Sequence, residues 1–370
     1  SNQQELTGSD LSFMIKGSGL DQLLVDQDGV LPVGAYQTNG QILLASDRLS
    51  IPSLSITTDK TQGEFKLDIG WPVSKDVDVD FDLKINGKDI RELLPKMGSF
   101  RPNSAEFEME AIGEKRGKLI SLDRFYADIG NLEIVTVGEV GNDVAGETLD
   151  VTFSVESEDL SQLGQLDDEP LPSLPLDLKA DFSGNSDAFV VQNIVASLGE
   201  SRLEGRVDVS LKGSRPDFRL IADASKIDLR PFIDPVGSKE AEKVDEDVSA
   251  EPKERLIPDT PLPLDTLNAA DIELKLSVAE LQYWKASSRN IVLEAEVKTG
   301  KLDVPVFALE APTGRLKTSL SVIPTSVGQA DVDIDVDAQD LVLNLRGRPD
   351  QMLDQVPSIN LDFQITGKGG

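Results

Sequence analysis

The side chains able to carry chemistry in this 370-residue chain are overwhelmingly carboxylates: 66 Asp and Glu stand against 36 Lys and Arg, with no His and no Cys. The missing types remove thiol nucleophiles, histidine bases, Ser-His-Asp arrangements, disulfides and the usual zinc and non-haem iron ligand sets. Three arrangements of the remaining residues could act. Asp76/Asp78/Asp80/Asp82 and Asp331/Asp333/Asp335/Asp337 could ligate calcium, as in an extracellular adhesin-type array. They lack Gly-Gly-x-Gly-x-Asp loop spacing, and residues two apart on a strand point the same way, so a solvated face is the simpler account. Asp167-Asp168-Glu169 could serve a glycosidase or lyase, but nothing fixes two carboxyls at a working distance, and loop solvation accounts for them. Tyr283-Trp284 could stack on a ligand or meet a bilayer, and local packing is the plainer role. The chain is therefore expected to be non-enzymatic, with no cofactor and no metal.

Charge narrows the partners. A formal net charge of -30 repels the phosphate backbone, which excludes nucleic acid, and it discourages contact with anionic bilayer faces. No run approaches the roughly 20 apolar residues of a membrane-crossing helix. The opening Ser1-Asn2-Gln3 and the ending Gly369-Gly370 read as those of a soluble piece, any anchor lying outside it.

The elements that position these residues are strands. Val77, Val79, Phe81, Leu83 and Ile85 alternate with acids and a lysine, and Val332, Ile334 and Val336 alternate with four aspartates. Such period-2 runs give one apolar and one wet face. The rhythm recurs at Phe65/Leu67/Ile69, Val151/Phe153/Val155, Leu176/Leu178/Ala180/Phe182, Val207/Val209/Leu211, Ile272/Leu274/Leu276/Val278, Leu293/Ala295/Val297, Leu316/Thr318/Leu320/Val322 and Ile359/Leu361/Phe363/Ile365. Gly, Asn, Asp and Pro punctuate it, and long helical periodicity is missing. Brief helical turns are expected at 89–97, 159–165, 229–233 and 350–355, where an Asp or Leu opens each.

Those turns mark a repeat. Lys88-Asp89-Ile90, Glu158-Asp159-Leu160 and Ile227-Asp228-Leu229 fall about 70 residues apart, with a fourth copy at Asp340-Leu341. The implied division is the end of a preceding repeat at 1–29, β repeats at 30–97, 98–166, 167–234 and 257–348, a charged flexible loop at 235–256, and a truncated repeat at 349–370. Each unit is expected to be a meander of about five strands ending in a helical turn. Such a unit cannot bury its apolar face alone, so neighbours must join into one curved sheet. Sandwich, barrel, solenoid or two-walled trough all satisfy the pattern.

Leu256-Ile257-Pro258-Asp259-Thr260-Pro261-Leu262-Pro263-Leu264 followed by Leu267-Asn268-Ala269-Ala270-Asp271-Ile272-Glu273-Leu274 resembles the entry to the C-terminal region of AsmA-family proteins. Leu198 to Val207, the Arg215-Pro216 turn and Ile227-Asp228-Leu229-Arg230-Pro231-Phe232 are similar to that family's strand-turn-strand unit, and Asp10 to Gly19 and Ile359 to Gly369 look like one family element met twice. The resemblance implies a mainly β, elongated repeating β-groove, a taco-like curved sheet with an apolar interior and short helical turns between repeats. It implies a periplasmic protein, anchored to the inner membrane by a segment outside this chain. Such a protein passes phospholipid toward the outer membrane and supports its biogenesis. The partners would be phospholipid acyl chains and, at the two ends, the membranes or their proteins. The groove would be lined by Val77, Val79, Phe81, Leu83, Val151, Phe153, Val155, Val207, Val209, Leu211, Ile272, Leu274, Leu276, Val278, Leu293, Val297, Leu316, Leu320, Val332, Ile334 and Val336. At roughly 4.8 Å per strand, four repeats would make a trough on the order of 100 Å. The alternative is a calcium-binding or purely structural extracellular spacer, because a dry sandwich core shows the same alternation.

Overall fold

A computed structural model of the chain describes residues 8–18, 35–71, 76–94, 99–143, 146–232, 264–283, 286–326, 329–341 and 359–369. The protein is mainly β, and among the described residues the only helical elements are single 3-10 turns. The chain divides into two compact units, Ser1–Gly199 and Glu200–Gly370.

The first unit carries β1 (Ser9–Gly17), β2 (Tyr36–Leu44), β3 (Arg48–Thr58), β4 (Thr61–Gly70), β5 (Val79–Gly87), β6 (Phe100–Pro102), β7 (Phe107–Arg116), β8 (Lys118–Ile129), β9 (Leu132–Asp143), β10 (Gly146–Ser157), β11 (Gly164–Leu166), β12 (Glu169–Pro170), β13 (Leu176–Gly184) and β14 (Ala188–Leu198). The eleven long strands form an antiparallel meander in which each pairs with the next long strand. Short turns join most of them because alternation stops at Gly, Asn or Asp; Gly117 and Gly130, for example, both have φ near +60°. The three short strands make a separate ribbon with β11 in the middle.

The second unit carries β15 (Ser201–Ser210), β16 (Asp217–Asp228), β17 (Asp271–Tyr283), β18 (Ala286–Lys298), β19 (Lys301–Glu310), β20 (Arg315–Ser326), β21 (Gln329–Leu341) and β22 (Ile359–Gly369). One step departs from the expected meander: β16 and β17 pair in parallel, from Asp217 opposite Asp271 to Asp228 opposite Gln282. A parallel pair cannot be closed by a hairpin, and the chain between Asp228 and Asp271 has to lead from one end of the strands back to the other. The charged stretch 235–256 belongs to that connection and lies outside the described residues. Where the connection arrives, the Arg215 guanidinium donates to the carbonyls of Leu267 (3.1 Å) and Ala270 (3.0 Å) and pairs with Asp271 at 2.7 Å.

The 70-residue recurrence is visible as a capping device. Asp89 and Asp159 each precede a 3-10 turn, Ile90–Glu92 and Leu160–Gln162, and accept from the backbone N–H two residues on at 3.1 and 3.0 Å. Asp228 accepts from the N–H of Arg230 at 3.0 Å in the same way. An extended Asp whose carboxylate reaches the second following N–H satisfies a donor that the turn leaves orphaned. The fourth copy differs: Asp340 sits within β21 with φ 49°, and residues 350–355 are outside the described ones. Between successive caps run four long strands rather than about five.

Candidate functional site: a continuous apolar face in each unit

Register decides which side chains share a face. In the first unit one row runs Phe13, Gly40, Leu54, Phe65, Leu83, Ala111, Phe125, Thr136, Phe153, Ala180, each directly opposite the next across ten strands. A second runs Leu67, Phe81, Gly113, Leu122, Gly138, Val151, Phe182, Val191, and a third Ile85, Met109, Ala127, Ile134, Val155, Leu178, Ala196. Val79, between Ile69 and Lys115, completes the set, and Val77 lies just before it beside Gly70. Lys115 keeps its charge out of the row by donating to the carbonyl of Val77 at 3.2 Å and to that of Gly117.

The second unit repeats the arrangement. Val209, Phe218, Ile272, Val297, Leu302, Val322 and Val332 form one row, and Ala222, Leu276, Leu293, Phe307, Thr318, Val336 and Phe363 another. Val207 leads through Leu220 to Leu274, and Leu320 meets Ile334, which meets Ile365. Val278 faces Ile291, and Leu316 faces Ala338. Leu211 lies just past β15 and is exposed. By register, each apolar residue named for the groove lies at or beside the apolar face of its own unit. The parallel step leaves this intact, because Phe218, Leu220, Ala222 and Ala224 stand opposite Ile272, Leu274, Leu276 and Val278.

Four strands of the face escape a search for strict alternation: their apolar positions change phase midway. In β3 they are Leu49 and Ile51, then Leu54 and Ile56; in β8 Ile120 and Leu122, then Phe125, Ala127 and Ile129. In β14 they are Phe189 and Val191, then Ala196 and Leu198; in β19 Leu302 and Val304, then Phe307 and Leu309. Each phase change coincides with a register shift of one residue. A bulge adds one residue to one strand and would otherwise send the second half of the pattern to the wet side. The available signal was two half-strands out of phase, broken at Pro52 or Pro305, or near Asp123 or Asn193.

Aromatic rings on the face lie over glycines of the neighbouring strand. A Cβ placed on Gly40 would come within 2.7 Å of the Phe13 ring, one on Gly87 within 2.6 Å of Phe107, and one on Gly113 within 3.0 Å of Phe81. These are all directly opposed pairs. The ring fills the space the glycine leaves and so lies along the sheet instead of standing on it. Phe153 and Phe182, on adjacent strands, add a tilted pair at 5.5 Å between centroids.

Burial is uneven along the strands. In the first unit the end bearing the capped turns holds Tyr36, Phe107, Ala127 and Ile90, all buried. Ile90, 2 % exposed, is the one large side chain fully buried among the described residues. Its N–H donates to the carbonyl of Ala105 at 2.9 Å, which seats the 3-10 turn against that end. At the other end of the same strands Ile120 and Val140 are 41 % and 44 % exposed. In the second unit a small cluster of Ala224, Val278 and Ile291 gathers Leu203, Ile227, Leu281, Phe307 and Leu309 around it. Within each unit the strands in substantial backbone contact are hydrogen-bonded neighbours.

The opposite face is charged and paired. Asp80 meets Arg116 and, at 3.7 Å, Arg48; Asp82 meets Lys66 at 2.7 Å; Glu110 meets Lys84 at 2.6 Å and Arg124 at 3.4 Å. On β21, Asp333 accepts from Gln364 and Asp337 from Gln339. Among the described residues no group of three or more acids converges as metal ligands. Asp167 and Asp168, with φ 52° and 67°, are the two central residues of the β11–β12 hairpin, and Asp168 pairs with Arg101 at 2.5 Å. The pair turns the chain, which is what two consecutive positive-φ residues do in a two-residue hairpin. Tyr283 ends β17 with its hydroxyl 3.2 Å from that of Ser288, and Trp284 lies outside the described residues. The cap acids are perturbed: the Arg91 fork holds Asp89 down at about 2, and hydrogen bonds from Ser161 and Arg230 lower Asp159 and Asp228.

Comparison with family models, with curated proteins and with solved structures finds no match to the chain. No described helix is long and apolar enough to cross a membrane.

Proposed function

We propose that the apolar faces form a track for lipid acyl chains, and that the protein is a non-enzymatic periplasmic carrier of phospholipid between inner and outer membrane, as its resemblance to AsmA-family proteins implies. The carrying observation is the register: apolar positions stay on one side through eleven consecutive strands, and part of that side, including Ile120 and Val140, is exposed. A sandwich core would fill that face with its own residues. A part-exposed face of Val, Leu, Ile and Phe suits guests that are themselves hydrocarbon. Exposing a lipid methylene costs about 0.8 kcal/mol, so five or six moved through water meet a barrier of several kcal/mol that an apolar floor largely removes. Ten strand-to-strand steps at roughly 4.8 Å give the first unit a track of about 48 Å, longer than one acyl chain. In this scheme the headgroups leave toward the end carrying Ile120 and Val140, and the inner-membrane anchor lies in the parent protein outside this chain.

A structural spacer, or a calcium-binding array, predicts a lipid-free protein. Native mass spectrometry with lipid extraction, on protein purified from cells, separates these: several co-purifying phospholipids per chain are expected. Leu274→Asp should lower occupancy while the far-ultraviolet circular dichroism stays that of a folded β protein, because Leu274 is half-buried and a carboxylate there interrupts the track. Val209, 8 % exposed, is the poorer probe, since a charge there would unfold its surroundings. A lipid-free wild-type chain would sink the proposal.

A further inference from the structure

We propose that Lys115 and Lys118 bind the phosphate of a lipid headgroup at one rim of the first unit's apolar face, a site that rests on reading that face as a track for acyl chains. Outside the bulges, the register of the eleven long strands places only three charged residues on the apolar side among the described residues: Lys115, Lys118 and Glu147. Lys115 stands opposite Ile120, and Ile120 opposite Val140. One step further out, Lys118 stands opposite Asn142, and Asn142 opposite Glu147. All three charges therefore lie at the end remote from the capped turns, beside the exposed Ile120 and Val140. At the capped end the corresponding row is uncharged, running through Thr61, Phe107, Ile129, Leu132 and Ser157. Hydrocarbon with charge along a single rim is the pattern of an amphiphile lying across the strands.

The two lysines suit one anion. Lys118 is the diagonal neighbour of Lys115 across the Gly117 turn, where side chains start about 7–8 Å apart, so both ammonium groups can reach a single phosphate. Lys115 is half-buried and already aimed: its ammonium donates to the carbonyls of Val77 and Gly117, which leaves one of its three N–H donors for a guest. Lys118 is exposed, and among the described residues neither lysine has an acid partner. That is unusual where 66 acids face 36 bases, and the neighbouring cations differ, since Arg116 pairs with Asp80 and Glu114, and Arg48 with Asp80, on the wet side. Asp78, which accepts from the Gly117 N–H at 3.3 Å, is also on the wet side by its alternation with Val77 and Val79. Glu147 lies two strands from Lys118, about 9.6 Å away, and accepts from the N–H and the hydroxyl of Ser186. Two cations side by side repel unless an anion lies between them. A phospholipid with its chains on the apolar rows brings that anion to this rim.

Calorimetric titration of the delipidated whole chain with two short-chain probes tests this: dihexanoylphosphatidylglycerol, which carries the phosphate, and dihexanoylglycerol, which has the same chains without it. Wild type should bind both. Lys115→Gln/Lys118→Gln should raise the Kd for the phosphate lipid about tenfold and leave that for the neutral lipid unchanged, because two charge-assisted contacts are removed. Lys118→Gln alone, at an exposed side chain that holds nothing in place, should show about threefold of this with an unchanged melting temperature. Lys66→Gln, on the wet side beside Asp82, should alter neither affinity. Equal weakening of both lipids would mean that the lysines only shape the face, and unchanged binding of both would leave the track without a headgroup site; either result overturns the proposal. A wild type that binds neither lipid would refute the acyl-chain reading itself. Inorganic phosphate should bind at least about a hundredfold more weakly than the phosphate lipid, since it lacks the buried methylenes. Equal affinity for it would make the rim a free-anion site and overturn the headgroup assignment.

Discussion

Truncating two isoleucines of the first unit separates an open apolar face from a filled one. Ile90 and Ile120 are the same residue type, but Ile90 is 2 % exposed in the capped turn and Ile120 is 41 % exposed on the face. Changing Ile to Ala removes three carbons, about 2.4 kcal/mol of transfer free energy at about 0.8 per carbon when burial is complete. At Ile90 the surroundings relax only partly, so a cavity contribution adds to this and the loss should reach about 3–4 kcal/mol. At Ile120 roughly three-fifths of the side chain is covered, which scales the transfer contribution to about 1.4 kcal/mol, and solvent rather than a cavity takes the vacated space. Urea unfolding of delipidated protein, with slopes compared to confirm that the same surface is exposed, should therefore rank Ile90→Ala well below Ile120→Ala in stability. Adding a phospholipid ligand should stabilise the wild type more than Ile120→Ala, because the guest covers that residue. Equal losses in the lipid-free state would mean that Ile120 is as enclosed as Ile90, and the open-face argument would fail.

Two further expectations concern turns and close approaches. Asp89, depressed from 3.8 to about 2, contributes stability that is complete above pH 4 and is lost as pH falls toward 2. The full shift corresponds to about 2.5 kcal/mol, reduced to about 1 kcal/mol because its partner Arg91 is 52 % exposed. Asp89→Asn should thus be less stable than wild type at pH 7 and converge with it near pH 2; a gap that does not change with pH would show that the carboxylate charge is irrelevant. Gly138, φ 142°, faces Val151 on the apolar side, and a Cβ there would strike the Asp150 carbonyl and the Val151 backbone. Gly138→Ala should cost about 2 kcal/mol or more and speed amide exchange along β9 and β10; a neutral outcome in thermal melts would show that the two strands separate there at little cost.

How much of this was legible depended on the physics of each element. β4, β5 and β10 alternate without interruption, as β21 does as far as Ala338, and their register matches the pattern read from their residues. The caps were legible because an Asp before a short apolar turn has a specific job, recurring at 89, 159 and 228. The parallel step was not, since Phe218/Leu220/Ala222 and Ile272/Leu274/Leu276 alternate identically whichever way the second strand runs. The glycine–aromatic pairs were hidden for a related reason: Gly87 and Phe107 are neighbours only once the register is known.

The phase changes argue that the continuity of the face is specified rather than incidental. A sequence rich in alternating Val and Leu would form strands, but any bulge in such a sequence would rotate half a strand's apolar residues into water. In β3, β8, β14 and β19 the apolar positions shift by one residue where the register does. Bulges bend strands and increase their twist, so the sheet can curve at those points. With the compensating shift, a strand can bend while the apolar residues before and after each bulge stay on one surface: in β3, Ile51 still meets Leu67, and Leu54 still meets Phe65. Bending and an unbroken apolar surface make opposing demands on a period-2 pattern, and a one-residue slip written into the sequence at each bulge is the arrangement that meets both.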